Sequence, residues 1–276
     1  MVRWIKVSDT IGGGDIHVLR TLIETLARTD LGARDKLQTV YQMSLAHRMS
    51  AVGDAIVPFL EEVVANGPFT GMSYAPAAAE GCIIPKLVGC YEAELHDDLR
   101  IVVASNYETI LNIGSAEGYY AVGFARAIPM ATVYAWDIDE TARRRTLENA
   151  ERNGVSGRMV IGEKVVPTHF AQFEGQRVFV LCDIEGTEFE LLNPEIAPAL
   201  RKFDMIVELH PGSDRDIDRF INRFEASHYT ELRWPTARDP NAYEVLARLP
   251  LLDRVLALTE RLEATPWAVL KSKFNS

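Results

Sequence analysis

The stretch ILNIGSAEGYYAVGFA, residues 110–125, is an apolar run that ends at Gly114, passes through a turn of small residues and continues with helical spacing. The run ILNI predicts a buried strand, and the apolar residues after Gly118 predict a helix. Glycine has no side chain, so such a turn lets the backbone approach a bound molecule closely. The stretch therefore predicts the strand, turn and helix that begin an α/β sheet.

The same alternation of apolar run and helical segment continues to the end of the chain. Seven runs read as strands: TILNIG (109–114), TVYAWDID (132–139), RMVIGE (158–163), VFVLCDIEG (178–186), DMIVELH (204–210), YTELRW (229–234) and PWAVLKS (266–272). Helix-like segments separate the first five, which predicts a Rossmann-like, mostly parallel sheet with helices on both faces. In such sheets ligands bind beyond the carboxyl ends of the strands, where the strand order reverses.

The first hundred residues follow a different pattern. Apolar residues recur at helical spacing from Asp15 to about Ala65. We therefore expect an N-terminal helical extension, residues 1–95, before an α/β domain, residues 96–276. The extension could serve as a lid, as a wall of the substrate site or as a dimer interface.

Composition limits the partners. The formal net charge of −10 argues against a general nucleic-acid binder, because such binding depends on Lys and Arg. The arginine run 143–145 is expected to be a solvated helix face. The three cysteines lack metal-ligand spacing, and no apolar window reaches membrane-spanning length. The sequence thus predicts a cytoplasmic protein without a membrane or nucleic-acid partner.

The glycine turn can be compared with two classes of cofactor site. A dinucleotide site has the pattern G-x-G-x-x-G, but Ala116 and Tyr119 occupy the second and third glycine positions. S-adenosylmethionine sites use a looser turn, acid-x-G-x-G-x-G, in which Gly114 and Gly118 match while Asn112 and Ala116 depart. The second class fits better, because no pyrophosphate has to be accommodated.

An acid at the end of the second strand supports a nucleoside ligand. Asp137 lies 19 residues after Gly118, and a carboxylate there can accept hydrogen bonds from both hydroxyls of a ribose. Capping of the following helix is the alternative role, and it is the one expected for Asp139.

Four segments together resemble a known family: NIGSAEGYY (112–120), YAWDID (134–139), LCDIEGTEFELL (181–192) and MIVELH (205–210). They are similar to the FkbM-like group of class I S-adenosylmethionine-dependent methyltransferases, whose members carry an Asp-Val/Ile-Glu-Gly-x-Glu signature at the fourth strand. The resemblance spans roughly residues 85–275. It implies a seven-stranded sheet with an antiparallel last strand and, usually, O-methylation of a small molecule or sugar.

The resemblance also assigns candidate cofactor residues. The methionine and ribose portions of S-adenosylmethionine would lie against the turn, the adenine near the second and third strand ends, and the sulfonium beside the fourth strand. The residues implied are Tyr91, Glu92, Gly114, Ser115, Glu117, Gly118, Asp137, Ile138, Gly162, Glu163 and Asp183.

Methyl transfer to a hydroxyl requires a group that takes the proton of the acceptor. His210 is the candidate base because its ordinary pKa is near neutrality, and Asp183 and Glu208 are the catalytic carboxylates expected beside it. These three residues could instead ligate a divalent cation, an alternative that the spacing leaves open although no metal is predicted. Glu188 is expected to cap and orient the helix after the fourth strand.

Two other functions stay open at this point. The same cofactor can donate its aminocarboxypropyl arm or cyclise, and the residues alone do not distinguish these reactions from methyl transfer. A non-catalytic nucleoside-binding protein is the third reading, motivated by Asn112 and Ala116.

Overall fold

A single seven-stranded sheet organises the chain. The computed structural model describes residues 13–75, 82–212, 216–261 and 265–275. Each predicted run overlaps one strand: β1 Thr109–Ile113, β2 Thr132–Trp136, β3 Met159–Gly162, β4 Val178–Cys182, β5 Asp204–Glu208, β6 His228–Arg233 and β7 Trp267–Ser272.

The strands are arranged in the order β3-β2-β1-β4-β5-β7-β6. The first five pair in parallel, whereas β7 lies antiparallel between β5 and β6. The Rossmann-like sheet with an antiparallel last strand is thus confirmed. The order reverses between β1 and β4, so Gly114 and Asp183, which follow these two strands, flank the switch point.

Helices cover the sheet and precede it. They are α1 Gly13–Ala27, α2 Ala33–Ile56, α3 Ile83–Val88, α4 His96–Ala104, α5 Tyr119–Ala127, α6 Glu140–Arg152, α7 Glu188–Leu191, α8 Ile217–Asn222 and α9 Leu251–Ala257. None of the helices in the described ranges combines the length and apolarity that a bilayer crossing requires. The residues Asn153 and Gly154 are typical of a helix end, and Gly154 adopts a left-handed φ of 66° just beyond α6.

Two hydrophobic cores lie on opposite faces of the sheet. Every residue of β1 is buried, and consecutive side chains alternate between the cores: Ile110 belongs to the first core and Leu111 to the second. This alternation explains why β1 is a continuous apolar run, as a strand covered on both faces must be.

One glycine fixes how the segment before the sheet packs on α5. The ring of Phe69 makes edge-on contacts with Tyr119, Tyr120 and Phe124, with ring centroids 5.3–6.1 Å apart. A Cβ at Gly123 would lie 2.5 Å from the Phe69 ring. The missing side chain at Gly123 is therefore what lets Phe69 reach the helix.

This packing predicts opposite effects for the same substitution at two helical glycines. Gly123→Ala should lower the free energy of unfolding by about 1–3 kcal/mol, because overpacking outweighs the helix propensity of alanine. Gly53→Ala, in α2, should raise it by up to about 1 kcal/mol, since a Cβ there meets nothing within 4 Å. Urea denaturation of both variants measures the difference, and a stabilised Gly123→Ala protein would contradict the packing described.

Candidate active site

The turn after β1 forms although alanine replaces its middle glycine. Gly114, Ala116 and Gly118 all adopt positive φ, at 77°, 44° and 88°. Alanine enters this left-handed region only at a cost in strain. Ala116 therefore adopts the backbone conformation that glycine has in the pattern acid-x-G-x-G-x-G, although it carries a side chain. Gly114 has no such latitude, because a Cβ there would lie 1.6 Å from the carbonyl oxygen of Asp183.

Asp137 holds the turn from the end of β2. Its Oδ2 accepts a hydrogen bond from the backbone N–H of Ala116 at 2.8 Å, and its Oδ1 accepts one from Asp139 at the same distance. A carboxylate has about four acceptor positions, so capacity for a ligand remains. Asp139 caps α6 as expected, its Oδ1 accepting from the N–H of Thr141 at 2.9 Å.

The residues expected near adenine lie at the same edge. The carbonyl of Gly162 accepts a hydrogen bond from the N–H of Asp137 at 3.1 Å, which joins the ends of β3 and β2. Ile138 is 80% exposed and Glu163 is also exposed. Both side chains therefore form the rim of the site, with Asp137 deeper inside.

Buried polar atoms without a hydrogen-bond partner concentrate around the turn. Among the described residues eight such atoms occur, and six of them belong to five residues: Asn112 (Nδ2 and Oδ1), Ser115 (Oγ), Glu117 (Oε2), Tyr119 (OH) and Asp183 (Oδ1). Buried polar groups are normally paired, because leaving them unpaired costs free energy. This concentration at the switch point fits a polar ligand that supplies the missing partners, as S-adenosylmethionine would.

Glu117 lies in a buried ion pair. Its Oε1 is 2.6 Å from Nζ of Lys86 and also accepts a hydrogen bond from the hydroxyl of Tyr74. Burial by itself would raise the pKa of Glu117, but the charge of Lys86 and these hydrogen bonds outweigh burial and lower it. Lys86 and Tyr74 had no predicted role, although Lys86 lies in the same stretch of sequence, PKLVGCYEAEL (85–95), as the predicted cofactor residues Tyr91 and Glu92.

The structure brings His210 together with four carboxylates. Its Nδ1 lies 3.3 Å from Oε1 of Glu188, while its Nε2 lies 3.6–3.8 Å from oxygens of Asp183, Glu185 and Glu208. Burial opposes the charged imidazole, but the hydrogen bond to Glu188 and the nearby carboxylates outweigh it and raise the pKa of His210. Burial raises the pKa of Asp183 to about 6, against the opposing charge of His210.

Glu188 positions both the turn before α7 and the histidine. Its Oε2 accepts a hydrogen bond from the N–H of Gly186 at 2.7 Å, and its Oε1 accepts one from the N–H of His210 at 2.8 Å. Glu188 lies in the first turn of α7, where the helix dipole favours an acid, but it forms no cap hydrogen bond to that helix and instead holds the turn before it at Gly186. The same carboxylate orients the imidazole from the Nδ1 side.

Part of this group has the geometry of a cation site. One ligand atom each of Asp183, Glu185 and His210 lies within 4.8 Å of the others. Carboxylate oxygens with one imidazole suit a divalent cation. Glu208, which the sequence analysis placed in this set, instead directs one oxygen to Arg261 and Thr265.

Arg261 is another residue of the candidate site that the sequence did not predict. Its guanidinium contacts Oε1 of Glu208 and lies 2.6 Å from Oε1 of Glu92, whose other oxygen accepts from the hydroxyl of Tyr120. Glu92 is fully buried, and burial raises its pKa to about 8 although Arg261 and Tyr120 oppose the shift. In the sequence Arg261 precedes the run PWAVLKS (266–272), for which only the last strand was predicted.

Tyr91 lies beside these groups. Its ring packs edge-on against Tyr119 at a centroid distance of 5.4 Å, and Nζ of Lys86 lies 4.8 Å from its centroid. Tyr91 therefore connects the Lys86 ion pair to Tyr119 at the start of α5.

No family model and no curated protein matches this sequence significantly. Solved structures with a similar fold include the O-methyltransferase TomG from Streptomyces achromogenes, involved in tomaymycin synthesis, in complex with SAM (13% identity, TM-score 0.44, 68% of this chain and 83% of that one). An O-methyltransferase from Bacillus cereus in complex with SAH has 15% identity and a TM-score of 0.42, covering 62% and 77% of the two chains. Precorrin-6y C5,15-methyltransferase from Geobacter metallireducens has 11% identity and a TM-score of 0.40, covering 64% and 89%. At these values the similarities carry no argument about activity, which has to come from the side chains.

The buried ion pair predicts a large loss of stability on removal of one partner. Lys86→Met should lower the free energy of unfolding by about 3–5 kcal/mol, because Glu117 would remain buried without its cation. The double variant with Glu117→Gln should recover most of the loss. Arg144→Met is the control, since its pair with Glu148 is exposed and contributes less than about 1 kcal/mol. Equal losses in Lys86→Met and Arg144→Met by urea denaturation would contradict the buried pair.

The surroundings of His210 predict its titration. The pKa of His210 should lie above that of an ordinary histidine, and Glu188→Gln should lower it, because the neutral amide no longer stabilises the cation. Glu190→Gln, an exposed position on the same helix, should leave it unchanged. Histidine NMR titration reads the midpoint, with His210→Asn identifying the signal among the six histidines. An unshifted midpoint in Glu188→Gln would exclude the contact.

Proposed function

We propose that this protein is an S-adenosylmethionine-dependent methyltransferase that methylates an oxygen of a small molecule. The observation that carries the proposal is the concentration of unpartnered buried polar atoms around a left-handed turn at the switch point of the sheet. A ligand with hydroxyl, ammonium and carboxylate groups would satisfy these atoms. Asp137, at the adjacent strand end, would hold its ribose.

The charges at the turn favour a cationic ligand over a pyrophosphate. Asp137 and Asp183 flank the turn from the two neighbouring strands, and the N–H of Ala116, which a phosphate would require, is already bonded to Asp137. Carboxylates beside the turn would repel an anion and attract a sulfonium or an ammonium group. The charges at the turn therefore support S-adenosylmethionine, the cofactor inferred from the sequence, independently of the sequence pattern.

When bound, S-adenosylmethionine supplies a methyl group on a sulfonium that departs with the electrons of the broken sulfur–carbon bond. The chain must then hold the acceptor oxygen in line with that bond and exclude water. Asp183, at the end of β4, would lie beside the sulfonium and the acceptor. His210 would take the hydroxyl proton on Nε2, while Glu188 holds Nδ1 and stabilises the imidazolium that forms.

Cofactor binding tests the proposal before any acceptor is known. Calorimetric titration should give micromolar binding of S-adenosylmethionine and S-adenosylhomocysteine, and no binding of NAD. If neither S-adenosylmethionine nor S-adenosylhomocysteine binds, the proposal is refuted. Binding of NAD alone would favour a dinucleotide enzyme. Repeating the titration with EDTA and with Mg²⁺ separates any effect of a cation from binding of the nucleoside.

Variants of Asp137 then distinguish a ribose ligand from a brace of the turn. Asp137→Ala and Asp137→Asn should both weaken S-adenosylhomocysteine binding by about tenfold or more, since neither keeps a charged acceptor for the hydroxyls. Asparagine still offers one oxygen to the N–H of Ala116, so unchanged affinity in Asp137→Asn would leave Asp137 only its structural role. Asp139→Ala, which removes the α6 cap, is the control and should bind nearly as the wild type does.

A further inference from the structure

A cavity of about 610 Å³ lies between α2, α3 and the residues that follow α9. Its wall is mostly aliphatic, with Met49 and Val57 on the α2 side, Ile83 and Ile84 on α3, and Leu256 on α9. Cavities that bind small molecules commonly enclose about 300–1,000 Å³ and are lined mainly by apolar groups. The cavity therefore has the size and lining of a small-molecule site.

The sequence of α2 explains why the space is not filled. Ala46, Ser50 and Gly53 recur at intervals of four and three, so they share one face of the helix, and all three line the cavity. A Cβ added at Gly53 would meet nothing within 4 Å. The helix α2 packs into a hydrophobic core through other residues, Val52 and Ile56. Its row of small side chains therefore leaves room in the cavity for another molecule.

The cavity reaches the candidate active site through one residue. Arg261 lines the cavity and also contacts Glu208 and Glu92. Glu208 in turn lies 3.8 Å from Nε2 of His210. A molecule whose body occupies the cavity can therefore present a polar end to the carboxyl edge of the sheet, where the methyl group would be delivered.

The charges at this end of the cavity select against an anion. Arg261 is the only cationic side chain among the described residues that line it. Arg261 is bonded to Glu92 and Glu208, and the neighbouring Arg238 is bonded to Glu94 and Glu260. Burial raises the pKa of Glu92 to about 8, so at neutral pH its carboxyl is mostly protonated. Glu208, Glu94 and Glu260 still offset the charge of the two guanidinium groups, which leaves little attraction for a carboxylate or phosphate on the ligand.

We propose that this cavity binds the acceptor of methyl transfer, and that the acceptor is a largely apolar molecule, uncharged or cationic, with its nucleophile toward Arg261. The assignment rests on the proposed methyltransferase function. It names the substrate class, and it places the recognition of the apolar body on α2 instead of on the sheet.

A charge series on one aromatic body tests the proposal. The probes are 2-naphthol, 2-naphthylmethylammonium and 2-naphthoate, whose binding is followed by their own fluorescence. The neutral and cationic probes should bind saturably, and 2-naphthoate should bind at least about tenfold more weakly. Equal binding of 2-naphthoate, or no saturable binding of 2-naphthol, would overturn the proposal.

Filling the cavity provides the decisive variant. Gly53→Trp should weaken 2-naphthol binding by at least about tenfold and leave S-adenosylhomocysteine binding unchanged. Gly157→Trp is the matched control, because its Cβ is equally unobstructed and Gly157 does not line the cavity. Ser50→Phe, on the same face of α2, serves the same purpose if Gly53→Trp fails to fold by circular dichroism.

The outcomes separate this inference from the function on which it rests. Wild-type affinity for 2-naphthol in both Gly53→Trp and Ser50→Phe would overturn the cavity assignment and leave the methyltransferase proposal intact. If Gly53→Trp blocks 2-naphthol binding but the wild type does not bind S-adenosylhomocysteine, the methyltransferase proposal fails, and the acceptor role of the cavity fails with it. Blocked 2-naphthol binding with intact nucleoside binding supports both.

Discussion

The close approach of β1 and β4 at their carboxyl ends is the constraint on which the rest of the site depends. The backbone at Gly114 passes so near the carbonyl of Asp183 that no side chain fits between them. The N–H of Asp183 also donates to the carbonyl of Ile113 at 2.9 Å, which continues the parallel pairing to the last residue of β1. The turn and the end of β4 are thus held together by backbone contacts at the switch point of the sheet.

Charge is the second organising feature, because the site buries more carboxylates than cations. Glu92 and Glu208 share Arg261, Glu94 and Glu260 share Arg238, and Glu117 alone has a cation of its own, Lys86. Burying charges is costly, and pairing repays the cost only when geometry and hydrogen bonds are good. With Glu92 mostly protonated at neutral pH, as its pKa of about 8 implies, the other four carboxyl groups still outnumber the three cations. Such a site favours a positively charged ligand, and a sulfonium nucleoside carries that charge.

The parts of this arrangement that sequence could predict are those encoded locally. Strand positions followed from apolar runs, the helix cap at Asp139 from its place before α6, and the end of α6 from Asn153 and Gly154. The turn was also predictable, although the pattern alone could not say that Ala116 would adopt the conformation of the missing glycine. FkbM-like membership, which rested on short segments, stays a prediction.

The parts that sequence could not predict are those formed by distant segments. Arg261 meets Glu92 across 169 residues of chain, and Lys86 meets Glu117 across 31. No local period encodes either contact, because a charged residue near the end of a helix or in a connection has the same appearance whether it is solvated or buried. Such pairs become visible only when the topology places the connection after α9 and the segment around α3 over the same sheet edge.

The same two segments link the site to the helical extension, and this explains how a sheet with a common topology can acquire its own substrate. In the proposed function, the edge of the sheet supplies the turn and Asp137 for the cofactor and His210 for the proton. The connection after α9 contributes Arg261, which touches both the carboxylates of the site and the cavity beside α2. Selectivity for the apolar body of a substrate can then change through small side chains on α2, such as Ser50 and Gly53, without disturbing the chemistry at the sheet.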